Sequence, residues 1–381
     1  MNNTTKLGNF ISEYSVRNRA GDDIPVYSVT NKEGFCRDYF SKDVASQDRS
    51  TYKIVPRGCF AYNPSRINVG SVDWQRKEDR VIVSPLYVVF SVSKELDQQY
   101  LYYYLKSEKC LYYIKELASG SVRDNLKLSM LKEFTIPNIT LEEQRKAVTV
   151  LEQTDRLITL QERQMTVLDE LVKSRFVEMF GEPATNPMGW METTVGRECY
   201  SIKDGPHVSL PDIGRENGGH PFISVRNIVN HVIDFSTARY ISDEDFAIAR
   251  KKCCPQKGDM LYSKGGTTGI AKLIDVDVEF ANWVHLAVLK YDKGKLNGVF
   301  FENMLNCDYC YGQSQKLTKG IANRDLVLSA IAQIKIYRPP VELQKRFAAF
   351  VSEVDKSKLA VKQGLEKLET LKKSLMQQYF G

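Results

Sequence analysis

No stretch of this 381-residue chain approaches eighteen uninterrupted apolar residues, so nothing in it reads as a membrane-spanning helix. The opening Met1-Asn2-Asn3-Thr4-Thr5-Lys6 lacks the apolar core of a secretory signal, and a soluble cytoplasmic protein with no membrane contact is expected. Histidine is scarce: His207, His220, His231 and His285 show no metal-ligand spacing, and His285 lies in an apolar strand-like run, where a packed ring is the default. Gly265-Gly266-Thr267-Thr268-Gly269 lacks the Gly-Lys-Ser/Thr ending of a P-loop. Asn63-Pro64-Ser65-Arg66 lacks the second proline and the aromatic of an amino-methyltransferase motif, and Asp259 followed by Lys264 is a poor substitute for a nuclease Asp…Glu-x-Lys core. Without an acid, base or nucleophile constellation, no catalysis is expected from this polypeptide alone.

Cysteine is present but unorganised: eight residues at irregular spacings fit reduced thiols better than a disulfide framework. Cys253-Cys254 with Cys307 and Cys310 would supply four thiolates for zinc. Adjacent cysteines are awkward joint ligands, and the first half of the chain has no counterpart cluster, so no metal site is expected and the role of the four stays open. Charge excludes little, since 53 basic against 47 acidic side chains leave +6, a mild basic excess compatible with an anionic partner.

What is there is a repeat. Glu142, Gln144, Asp155, Leu168, Lys173-Ser174 and Phe180-Gly181 recur two hundred residues later as Glu342, Gln344, Asp355, Leu368, Lys373-Ser374 and Phe380-Gly381. The same offset relates Gly58/Gly258, Tyr62/Tyr262, Leu86/Leu286, Leu105/Leu305, Gly120/Gly320 and Leu126/Leu326, and is read as gapless. Nearer the start it shrinks, because Pro25–Asn31 best matches Pro221–Asn227. A period this long is a whole domain repeated.

Turn residues and strand-like runs divide the chain into an α+β domain over 1–138, a long helix over 139–181, a turn-rich linker over 182–189, a second domain over 190–338 and a second helix over 339–381. Strands are expected at Ile24–Val29, Cys59–Tyr62 and Val81–Val92, and again at Phe222–Val225, Met260–Ser263 and His285–Leu289. Aromatic-rich helices are expected around Tyr100–Leu105 and Leu111–Leu117.

The first long helix carries Leu151, Ile158, Met165, Val172 and Met179 at strict seven-residue spacing, with Leu168 beside them. The second carries Phe347, Val354, Val361, Leu368 and Leu375, and two such seams are the mark of helices that pack against each other as a coiled coil. An approximate two-fold relation between the copies lays the helices antiparallel, and about forty residues at ~1.5 Å each make a spacer of roughly 60 Å. Gly364 interrupts the second helix, explained only by close packing or a bend.

Side chains suited to phosphates and base edges gather in glycine-supported loops. In the first copy these are Arg57, Tyr62, Asn63, Arg66, Asn68, Arg76, Ser121 and Arg123. In the second they are Arg226, Asn227, Ser263, Lys264, Thr267, Thr268, Lys319 and Arg324. Framework leucines and glycines agree between copies while these loops differ, as expected if one fold reads two sequences.

Ile136-Pro137, Glu143-Gln144-Arg145, Phe180-Gly181, Asn186-Pro187, Gly189-Trp190, Tyr62-Asn63-Pro64 with Arg66–Gly70, and Gly258–Ser263 together resemble the specificity subunits of type I restriction-modification enzymes, over nearly the whole chain. The resemblance implies two repeated α/β target-recognition domains separated by an antiparallel coiled coil, each domain reading one half of an asymmetric bipartite site in double-stranded DNA. It further implies two methyltransferase subunits that bring S-adenosylmethionine for adenine-N6 methylation, and restriction-motor subunits that use ATP and Mg2+. A methylation-only complex and a coiled-coil adaptor that ignores DNA remain alternatives at this point.

Overall fold

The computed structural model describes residues 4–37, 49–118, 125–320 and 324–381. The chain divides into two compact units, residues 1–163 with 362–381, and residues 164–361.

The strands of the first unit are β1 (Thr4–Lys6), β2 (Ile11–Glu13), β3 (Ser28–Thr30), β4 (Gly34–Cys36), β5 (Lys53–Pro56), β6 (Phe60–Tyr62), β7 (Val72–Trp74), β8 (Arg80–Val83), β9 (Val88–Val92) and β10 (Thr135–Pro137). Its helices are α1 (Gln98–Lys106), α2 (Glu108–Ala118), α3 (Leu128–Leu131) and the start of the long α4 (Leu141–Phe180). The order β2-β9-β6-β7 forms an antiparallel sheet, with β3-β4, β5-β8 and β1-β10 as separate pairs. Successive side chains of a strand point to opposite faces. Thus Phe60, Tyr62 and Phe90 enter one core with Tyr100, Tyr104 and Leu151, while Ala61 and Val89 enter another with Val29, Val55 and Val81. A sheet covered on both faces explains why these strands read as apolar runs without alternation.

The second unit repeats the plan with β11 (Met191–Thr194), β12 (Cys199–Asp204), β13 (His220–Ile223), β14 (Arg239–Ile241), β15 (Met260–Ser263), β16 (Ala271–Leu273), β17 (Ala281–Asn282), β18 (Leu286–Tyr291) and β19 (Lys335–Arg338). Its helices are α5 (Val195–Glu198), α6 (Asp243–Lys252), α7 (Gly298–Asn306), α8 (Asp308–Leu317), α9 (Leu328–Ile331) and the start of α10 (Val341–Phe380). The order β12-β18-β15-β16 is the counterpart sheet, and β14-β13-β17 forms a smaller one. The expected strand over Val81–Val92 is two strands, β8 and β9, broken by the turn at Ser84–Tyr87. Only the end of Ile24–Val29 is strand, and Val26 makes an isolated parallel bridge to Ile82. The equivalent parallel pair Phe222↔Ala281 supports the shorter offset of this segment.

Each unit is closed by both long helices. In the first, Asp155 bonds Lys372 at 2.5 Å and Gly364 faces Gln161; in the second, Asp169 bonds Lys358 at 2.7 Å. Partner numbers fall along α10 as they rise along α4, so the helices run antiparallel within each unit. Leu151, Val172, Phe347, Val354 and Val361 are buried, and Ile158, Met165, Leu168, Met179, Leu368 and Leu375 are half-buried, so the heptad positions form the seam. The closing phenylalanines anchor the ends: the Phe180 ring lies 4.8 Å from Phe300 and 5.5 Å from Phe347, and the Phe380 ring lies 5.0 Å from Tyr100. Gln144 and Gln344 repeat one clamp, their side-chain oxygens accepting from the backbone N–H of Asp97 and of Asn297, both at 2.8 Å. Asp97 and Asn297 in turn cap α1 and α7.

Candidate nucleic-acid interface

In the first unit the loop after β6 is tied from below. Ile67 is buried, and Gly70 takes φ +81°, a left-handed conformation that glycine adopts without strain. The Lys106 ammonium donates to the Gly70 carbonyl and to Asn31, and burial pushes its pKa down to about 8. Asn63 Oδ1 accepts from the Ser65 N–H at 3.1 Å and from its hydroxyl at 2.9 Å. Between these anchors Ser65, Arg66, Asn68 and Val69 are exposed. The Leu126 N–H donates to the Pro64 carbonyl at 3.2 Å, which brings the segment before α3 to the same end of the sheet. The Ser84–Tyr87 turn arrives there too, because Val88 pairs with Tyr62 and Val83 with Lys53.

Several expectations change. Tyr62 is fully buried and its hydroxyl donates to the Leu126 carbonyl at 3.0 Å, so it supports the loop from behind. Arg57 and Arg76 sit at the opposite end of β6, where Arg57 donates to the Arg76 carbonyl at 3.2 Å and Arg76 pairs with Asp73 at 3.3 Å over the Trp74 ring. They are not brought together with Asn63, Arg66 and Asn68. Ser121 and Arg123 lie outside the described residues.

In the second unit the loops interlock more tightly. Ser263 is buried, and its hydroxyl oxygen accepts from the Ile270 N–H at 2.8 Å, closing the Lys264–Gly269 loop. Lys264 is not a free cation. It is buried between Asp325 at 3.1 Å and Asp204 at 3.6 Å, and Asp204 also takes Lys252 at 2.6 Å. Burying a lysine demands such partners, and the pairing ties the loop to the Lys319–Asp325 segment. That segment bridges to Gly265, and Gly266 N–H donates to the Arg324 carbonyl at 3.1 Å. Thr268 is buried with its hydroxyl 3.0 Å from that of Thr318, and Asn227 is buried inside the turn it caps, donating to the Asp234 carbonyl at 2.9 Å. Tyr62, Asn227, Ser263, Lys264 and Thr268 therefore hold the surface together. Exposed side chains are supplied by Thr267, Lys319 and Arg324, and by Arg226 on the neighbouring turn, where it donates to the Thr237 carbonyl at 2.7 Å.

A third connection escapes sequence reading: Trp283–His285, just before β18. Trp283 N–H donates to the Ile223 carbonyl and Lys264 N–H to the His285 carbonyl, both at 2.9 Å, so this turn sits between the Arg226 turn and the glycine loop. Its signal was Pro85 and Trp283 inside apolar runs.

The cysteines fall apart as a cluster. Cys253 lies in the core beside Leu261 and Val288, Cys310 in the core beside Phe301 and Ile336, and among the described residues no group of three or more His, Cys, Asp or Glu is arranged to hold a metal ion. Burial pushes the Cys199 and Cys253 thiols up to about 12, which leaves them protonated and inert.

Comparison with known proteins decides the family. The model of the type I restriction modification DNA specificity domain matches twice, over residues 8–170 and 207–372. The chain belongs to the type I restriction-modification specificity subunits. It is similar to the MjaIX specificity subunit of Methanocaldococcus jannaschii, 27% identical over 66% of this chain, and the match spans about three-fifths of that relative's length, 61%. The MjaVIII specificity subunit of the same organism is 22% identical over 74% of this chain and 69% of its own length. The S subunit structure from M. genitalium has the same fold, with a TM-score of 0.56, 15% identity, and coverage of 100% of this chain and 96% of that one. A chain from a structure described as the basis of complex assembly and conformational transition of the type I R-M system gives 0.60 at 17% identity, covering 99% and 97%. The first match falls mostly in the first unit of this specificity subunit and the second mostly in the second unit.

Proposed function

We propose that this chain is the DNA-reading subunit of a type I restriction-modification assembly, non-catalytic itself, with each domain reading one half of a bipartite asymmetric site. The observation that carries this reading is the repeated loop cluster at one end of each four-stranded sheet. One frame presents Ser65, Arg66 and Asn68 in the first unit and Thr267, Lys319 and Arg324 in the second. Arginine, lysine, asparagine and hydroxyl side chains on rigid loops suit phosphate oxygens and base edges. Two methyltransferase subunits would supply S-adenosylmethionine and flip one adenine per half-site for N6 methylation. Restriction-motor subunits would use ATP and Mg2+ to cleave unmodified DNA, in the cytoplasm. No described helix is long and apolar enough to cross a membrane.

The test is a modification-sensitive sequence of the host genome with and without the gene. Loss of N6-methyladenine from one split asymmetric motif upon deletion is the expected result. An unchanged methylome, together with salt-independent binding of the purified complex to DNA, would sink the proposal, because phosphate contacts make affinity fall steeply with salt.

A further inference from the structure

The ladders place an unexpected pair of side chains in equivalent positions. Tyr62 pairs with Val88 in the first unit, and its counterpart Tyr262 pairs with Ala287 in the second. Val88 therefore corresponds to Ala287, and two residues earlier Leu86 corresponds to His285, not to Leu286. Leu286 is fully buried, whereas Leu86 is 75% exposed, the highest exposure recorded for a large apolar side chain in the described residues.

Both positions are held rigidly. Leu86 tops a turn in which Tyr87 N–H donates to the Ser84 carbonyl at 3.0 Å, while the Lys53 ammonium clamps the Tyr87 carbonyl at 2.7 Å. The His285 ring lies edge-on to Trp283, centroids 5.1 Å apart, and packs on Gly265 so closely that a Cβ there would fall 2.0 Å from Nδ1. Gly265 is not in the left-handed region, so what excludes a side chain is the imidazole and not the backbone. An exposed leucine held in place on a polar loop surface has no core to fill. An exposed imidazole fixed on two sides presents its remaining edge to whatever docks there.

We propose that Leu86 and His285 are equivalent specificity-determining residues, one per half-site, with Gly265 and Trp283 positioning the imidazole. The inference rests on the DNA-reading role. Leucine offers only apolar contact, which matches the 5-methyl of thymine in the major groove. With Nδ1 turned to Gly265, histidine presents Nε2, one hydrogen-bonding nitrogen that suits a single donor or acceptor on a base edge.

The experiment uses the full chain purified with its co-purifying subunits, and selection from randomised duplexes. H285A and G265A are expected to lose about tenfold discrimination at the same single base pair of one half-site, and L86A at one base pair of the other half. Replacing the thymine at that second position by deoxyuridine, which removes only the methyl, is expected to weaken the wild-type complex and leave L86A unaffected. Melting curves matching wild type exclude misfolding. Should the wild-type complex select a motif while all three variants keep its full profile, or lose affinity evenly across every sequence, the assignment of these residues fails and the DNA-reading role stands. If the wild-type complex selects no sequence at all, both fall together.

Discussion

Gln344 is fully buried and spends its whole amide on backbone. Its oxygen accepts from Asn297 N–H, and its nitrogen donates to the Lys295 carbonyl at 3.1 Å and to the Pro339 carbonyl at 2.8 Å. Replacing it by leucine leaves the buried Pro339 carbonyl and two part-buried backbone groups without this partner, at a cost of about 1–3 kcal/mol for a buried group that finds no water. Q344L is expected to lose at least ~1 kcal/mol in urea denaturation, and Q144L similarly, since Gln144 makes the same three kinds of bond. A loss within ~0.5 kcal/mol, as for a surface change, would mean the clamp is not structural. The Glu-Gln phrase was legible as repeated text, but its role was not, because its partner lies 47 residues upstream. Lys264 was misread for the same physical reason. A lysine among glycines looks solvated until Asp325, 61 residues on, folds over it.

At the scale of elements the long helices were the easiest to read, because a seven-residue apolar period over forty residues fits a helix and not a strand. They run Leu141–Phe180 and Val341–Phe380, inside the expected limits. Strands were harder. An apolar run buried on both faces shows no alternation, so the turn at Ser84–Tyr87 was hidden within it, with only Pro85 to mark it. Gly364 in α10 was explained only by close packing or a bend, and its surroundings do not support the first. The nearest atoms a Cβ there would meet belong to the Gln161 side chain, at 3.5–3.6 Å, which is ordinary contact. Glycine in a helix interior costs about 0.5–1 kcal/mol relative to alanine. G364A is therefore expected to stabilise the chain by roughly that amount, raising the melting temperature by about 1–4 °C. A destabilised variant would show that the helix bends there for a reason of its own.

The repeat itself set the plan of the whole molecule, and its one error is instructive. The second copy is one residue shorter between Tyr262 and Ala287 than the first is between Tyr62 and Val88, and it regains that residue before Asn297, which again stands two hundred positions after Asp97. Paired gaps of this kind cancel in a sequence comparison and appear only in ladder register. The compact units also cut across the sequence domains. The second core contains Val172, Phe176 and Phe180 from the end of α4 and Phe347, Val351 and Val354 from the start of α10, together with Phe300 and Phe301. An exchange of residues 190–338 with a relative would sever that core from its helical walls. Exchange of 164–361 carries the core intact, provided the heptad phase is kept at both junctions. The second exchange is expected to fold with a single cooperative loss of structure and to change one half of the methylated motif while the other half is retained. The first is expected to melt at lower temperature, since it mismatches aromatic contacts such as Phe180 on Phe300. If both halves of the motif changed in the 164–361 exchange, the two loop clusters would not be independent readers, and the repeated frame would have to serve one shared target.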